Sequence, residues 1–353
     1  MSIFHKFFVL GVNLLTIMVV SCSCDEEPTK PPEPPSEEHL FFVCAEYSGI
    51  VKVYSVEQQK FIDSLEFEAE GPSVEVIGSD EKLLVIADIP QLFDLKTKTT
   101  VETFPDAAAV SSSPDGRYLA FNKKTSVPYS YRLELRSFDL QTLYHQDTLV
   151  RTISFSIDSR LMAYRREWED PFKAELVVYE LDRDSIIDSG TKYLSNGYPL
   201  DRILWVMAPL SKRNKVVFEA NDFFLCIADI GSDTARVLKT KLPSAASAIA
   251  VSPDEQYLYV TFHPGWDMFP PSKKIFVFDL VTEQLIDSMI VTEPYYEPDQ
   301  LAITWDGKYI MTCTPSAIRK VGVFDVITGQ EIGYYDFNVP GDYPVVAAAK
   351  RLK

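Results

Sequence analysis

From Leu40 onward, apolar residues come in short β-branched and aromatic runs, broken at close intervals by Gly, Pro, Asp, Asn and Ser, and no segment sustains a helical period. The pattern predicts an all-β chain. One unit repeats along it: an apolar strand, a polar turn often of Ser-Pro-Asp-Gly type, a second apolar strand, a variable loop, a third strand ending in Phe-Asp-Leu, a short turn and a fourth strand. The clearest copies are 248–260 leading to 275–280, and 301–310 leading to 321–329. The turn element recurs at 78–81, 113–116, 157–160 and, in degenerate form, 210–213.

The Phe-Asp-Leu element is centred at 55, 94, 139, 180, 229, 279 and 325, with spacings of 39, 45, 41, 49, 50 and 46. Such periods suit four strands with their loops. They predict a seven-bladed β-propeller of four-stranded blades over residues 40–353. Its first strand aligns with the second of a blade, and 344–349 aligns with the first. The C-terminal strand is therefore expected to complete the N-terminal blade and close the ring, covering an edge that otherwise invites aggregation. Length alone, at roughly 150 residues per domain, would suggest two domains; the repeat assigns nearly all of it to one.

The Ser-Pro-Asp-Gly turn, followed by Tyr257-Leu258-Tyr259-Val260 and Phe278-Asp279-Leu280, resembles the YVTN-type propellers, relatives in plan of the lactonase-like and WD-repeat families. The regular Gly-His and Trp-Asp pairs of WD repeats are missing. The resemblance implies that the loops joining second to third strands share one face with the blade connections, while the short turns occupy the other.

The N-terminus follows a different pattern. Lys6 precedes an apolar run from Phe7 to Val20, shorter than the about 20 residues of a membrane span and suited to a signal peptide over 1–21. Val19-Val20-Ser21-Cys22 resembles the bacterial lipobox, which implies cleavage before Cys22 and lipid on that residue; Cys24 is a poorer candidate. Ser23-Cys24-Asp25-Glu26-Glu27 resembles the acidic export signal of Bacteroidetes surface lipoproteins. The expected address is the outer membrane, at the cell surface or otherwise facing the periplasm. Residues 25–39 carry five prolines and six carboxylates, a composition that cannot bury apolar area and that prolines extend. With Cys22 this segment reads as a stalk over 22–39.

Composition narrows the partners. The chain of 353 residues has a net charge of −17, which repels nucleic acid. Four histidines leave little for a multi-histidine metal centre, and no nucleophile elbow, His-Glu-x-x-His pair, Cys-x-x-Cys pair or phosphate loop is present. No cofactor or metal is expected. Cys44, Cys226 and Cys313 fall in strands and read as buried free thiols.

The loop face collects the candidate chemistry. Segments 165–173, 196–201, 263–273 and 293–299 place Trp168, Tyr198, Trp266, Phe269, Tyr295 and Tyr296 beside Arg165, Arg166, Glu167, Asp170, His263 and Asp267. Aromatic planes beside carboxylates and guanidiniums suit sugar rings and protein hot spots alike. The same aromatics also suit a plainer role, stapling long loops to the ring. The leading expectation is a non-catalytic, lipid-anchored propeller whose loop face binds a glycan or an envelope protein. The alternative is a hydrolase or lactonase acting at the central opening, with Arg165, Glu167, Asp170, His263 and Asp267 as first suspects; a third reading is a scaffold for an envelope complex.

Overall fold

The computed structural model describes residues 38–45, 49–67, 73–77, 82–86, 89–105, 107–124, 131–137, 142–146, 149–167, 174–200, 206–220, 224–238, 246–262, 273–293, 298, 300–313, 319–339 and 344–348. Residues 1–37, with Cys22 and most of the stalk, lie outside them, and 38–353 form a unit of their own. Glu38 and His39, expected in the stalk, are part of this unit.

The described strands form an all-β propeller, and a single 3-10 turn, Ser211–Arg213, is the helical element among the described residues. There are six four-stranded antiparallel sheets and one six-stranded sheet. A representative blade runs Leu149–Phe155, Leu161–Glu167, Ala174–Glu180 and Ser185–Gly190, paired in chain order. These positions are called A to D. The A strands Ser73–Ile77, Ala107–Ser112, Leu149–Phe155, Met207–Leu210, Ala246–Val251, Gln300–Ile303 and Pro344–Ala348 touch one another in that order, and the last meets the first. Short and rich in Ala, Ser and Val, they suit the crowded centre.

The N-terminal blade is completed as expected. Pro344–Ala348 pairs antiparallel with Leu40–Ala45, with Phe41 opposite Ala348 and Ala45 opposite Pro344.

The core lies between sheets. One cluster joins Leu161, Leu176 and Val178 to Val216, Phe218 and Cys226 of the next sheet; another joins Phe41 and Tyr54 to Met311 and Val323 across the closure. Fully buried Phe and Tyr in B and C strands fill these seams, each contributing roughly 1.5–3 kcal/mol. Cys44, Cys226 and Cys313 are buried and unbridged, and burial pushes the Cys226 thiol up to about 12.

The expectation of seven four-stranded blades needs correction. Six sheets have that form, and all six carry a register shift in the C–D pair, between Val53 and Tyr54, Leu92 and Phe93, Leu135 and Arg136, Val178 and Tyr179, Val277 and Phe278, and Val323 and Phe324. The sheet containing Met207–Leu210 has no such bulge in its C–D pair. It is instead widened: Lys192–Leu194 pairs parallel with Thr234–Val237, and Pro199–Leu200 adds a sixth strand. Behind this insertion, the fully buried Lys192 ammonium meets both Asp188 carboxylate oxygens at 2.8 Å and the Ser232 carbonyl at 2.8 Å.

Candidate functional site

Four B strands carry a polar residue toward their loop end, beneath the predicted binding face. At the fifth position of four B strands stand Asn122, Arg165, Glu219 and Thr261. Two of these cross the seam to the next blade: the Asn122 amide donates to the Val150 carbonyl, and Glu219 Oε1 accepts from the Ala246 N–H at 2.9 Å. These two bonds fasten blade to blade.

Three predicted residues end one strand. Side chains two apart share a face of a strand, so Arg165 and Glu167 meet, at 2.6 Å. Arg166 points the other way, to its cross-strand neighbour Glu175, with Nε at 2.9 Å. All four are largely buried, 7–18 % exposed at the side chain. Together the pairs lock the ends of the two strands Leu161–Glu167 and Ala174–Glu180 to each other. A similar brace stands in the preceding blade, where Glu134, 4 % exposed, takes Lys123 at 3.1 Å and the Arg136 guanidinium. Burial pushes the Glu134 carboxyl up, but those two cations outweigh it and hold the group below its ordinary value.

Tyr198 is not brought to this rim. It sits in the turn between Lys192–Leu194 and Pro199–Leu200, 42 % exposed, at the outer edge of the six-stranded sheet and roughly 20 Å from its inner strand at about 4.8 Å per strand. The physical reason is the parallel pairing with Thr234–Val237, which diverts this segment to the rim of the sheet. Trp168, Asp170, His263, Trp266, Asp267, Phe269, Tyr295 and Tyr296 lie outside the described residues. Among the described residues no three His, Cys, Asp or Glu side chains are grouped to hold a metal ion.

The opposite face is built from turn chemistry. The Ser113, Ser156 and Ser252 hydroxyls donate to Asp115, Asp158 and Asp254 at 2.8, 2.7 and 2.5 Å, and the carboxylates accept backbone N–H groups of Arg117, Arg160 and Gln256. Thr304 and Asp306 repeat the pattern at 2.9 Å. The aspartates of the third-strand motif cap the C–D turns: Asp94, Asp279 and Asp325 accept from Thr97, Thr282 and Thr328 N–H at 2.7, 2.8 and 2.8 Å.

Links between turns, which the sequence pattern did not announce, run from blade to blade. The Asp115 N–H donates to Ser159 Oγ at 2.9 Å; Ser211 Oγ lies 2.5 Å from Asp158 and 3.2 Å from Glu255. His39 closes the series with Nδ1 at 2.6 Å from Glu57 and Nε2 at 2.9 Å from Asp306.

No family model and no curated protein matches this chain in sequence. Solved structures match it in fold. Dihydro-heme d1 dehydrogenase NirN in complex with DHE is 15 % identical with a TM-score of 0.59, covering 90 % of this chain and 77 % of that one. Apo AztD from Citrobacter koseri is 12 % identical with a TM-score of 0.56, covering 89 % and 99 %. A functionally unknown protein from Desulfotomaculum acetoxidans DSM 771 is 15 % identical with a TM-score of 0.59, covering 88 % and 99 %. At such identities the likeness is one of fold, the β-propeller.

Proposed function

We propose that this chain is a lipid-anchored propeller of the cell envelope whose loop face binds a glycan or a protein partner without catalysis. The reading takes the six-stranded sheet as a seventh blade enlarged by the 192–200 hairpin, and the chain as YVTN-like in plan. One observation supports the binding face above others: the strand ends that flank residues 168–173, the segment carrying Trp168 and Phe172, are locked by the Arg165–Glu167 and Arg166–Glu175 pairs. A loop held on a rigid mount loses less entropy when it binds.

The test is retention on glycan and envelope-protein arrays. Trp168→Ala with Trp266→Ala is expected to abolish retention while the melting temperature stays unchanged; full retention would move the site off this face. The anchor is tested separately. Cys22→Ala is expected to remain uncleaved and to take up no labelled palmitate, and normal maturation of that variant would remove the anchor from the reading.

A further inference from the structure

Two departures from the blade repeat meet at one place on the turn face. Where Asp94, Asp279 and Asp325 cap the C–D turns of their blades, the blade 149–190 has Glu180. Its longer side chain lies 3.8 Å from Arg160 and 3.3 Å from Arg183. In the next sheet, the Ser-Pro-Asp-Gly turn is replaced by the 3-10 turn Ser211–Arg213, with Arg213 where the other turns carry their capping aspartate and with the left-handed residue Asn214, φ 53°, in its usual place three positions after the serine. Positions where a repeat breaks its own local rules are where function is expected to have intervened.

Between these two departures lies a cleft of about 380 Å³, within the size range of small-ligand sites, about 300–1,000 Å³. Leu161, Ile187 and Ile230 give it an apolar floor continuous with the core. Arg160 and Arg183 stand at its mouth, 53 % and 75 % exposed. Each guanidinium has five N–H donors and shares the single Glu180 carboxylate, so donors remain for a ligand. Asn214 lines the same space. Neighbouring acids are already engaged: Asp158 by Ser156, Ser211 and the Arg160 N–H, Asp182 by Arg117 at 3.6 Å.

We propose that this cleft binds a small amphipathic carboxylate, its carboxylate bridging Arg160 and Arg183 with a hydrogen bond from Asn214, and its alkyl part lying on Leu161, Ile187 and Ile230. The site is independent of the loop face. Arg160 and Leu161 open the strand that ends at Glu167, roughly 20 Å away at about 3.3 Å per residue.

Calorimetric titration of the full-length chain with hexanoate tests the proposal, with inorganic phosphate and hexylamine as comparison probes. Hexanoate is expected to bind saturably, at least tenfold more weakly to Arg160→Ala/Arg183→Ala and several-fold more weakly to Asn214→Gly, which keeps the left-handed backbone. Both arginines are exposed, so the variants should melt as the parent does. Absence of saturable hexanoate binding, equal affinity in the double-arginine variant, or phosphate binding as tightly as hexanoate would each overturn it.

Discussion

Glu283 joins two sheets from the outside. It follows the C strand Lys274–Asp279 and accepts from Arg236 Nε at 2.8 Å, Arg236 Nη2 at 2.7 Å and Lys215 at 2.6 Å, both partners belonging to the preceding sheet. The Arg236 hydrogen bonds, with help from Lys215, pull its carboxyl down to about 2. A carboxyl depressed in the folded state contributes stability above its unfolded value near 4.5, and that contribution fades as pH falls toward 2. Glu283→Gln is therefore expected to lower stability by about 1 kcal/mol at pH 7, scaled down for the solvent around Arg236. The gap to the parent should close between pH 4.5 and 2, read by urea melts at each pH; a gap independent of pH would refute the pairing. Glu283 was invisible in the sequence because its partners lie 47 and 68 positions away. The serine and aspartate of each turn were legible for the opposite reason, since their hydrogen bonds close within five residues.

At the level of strands, the repeat was legible wherever alternation and turn residues act locally. The edge hairpin at 192–200 was not, because its place depends on a parallel pairing with Thr234–Val237 some forty positions on. That long-range contact also puts Tyr198 at the outer edge of its sheet, four to five strands from the inner strand. The C–D bulges were not legible either, although five of the six fall just before the central residue of the third-strand motif, at Ser55, Asp94, Glu180, Asp279 and Asp325. A bulge increases local twist, and here it bends the outer strand into its turn. The closing strand carries the clearest test. Truncation after Tyr343 removes Pro344–Ala348 and leaves Leu40–Ala45 with an open edge beside a core containing Phe41. The truncated chain is expected to associate or fail to fold, seen as loss of the monomer peak in gel filtration. A monomer with parental circular dichroism would show that closure is dispensable.

Across the whole propeller unit, the turn face works as a series of joints. Asp115 reaches Ser159, Asp158 and Glu255 share Ser211, and Asp306 meets His39, so successive blades are tied near the axis as well as through their apolar seams. Burial alone would push the Asp306 carboxyl up; hydrogen bonds from Lys308 and His39 more than offset this and hold it well below the carboxylate range. One joint depends on close approach. Gly307 has φ 76°, and a Cβ there would stand 2.8 Å from Pro253 Cδ of the neighbouring blade. Gly307→Ala combines backbone strain with a wedge between blades, and a loss of about 1–3 kcal/mol is expected in denaturant melts. A loss no larger than that of Gly329→Ala, which has a similar φ of 66° and open space around it, would show that the wedge adds nothing.

The pairing of the last strand with the first also sets a timetable. Leu40–Ala45 is made about 300 residues before its partner Pro344–Ala348. At about 5–20 residues per second the interval is on the order of 15–60 s. During that wait the first strand offers an unpaired edge, and the ring cannot close on a partly made chain. Completion therefore waits until 344–348 have left the ribosome. Closure of the ring then depends on a meeting of two segments about 300 residues apart, the kind of long-range pairing that slows folding.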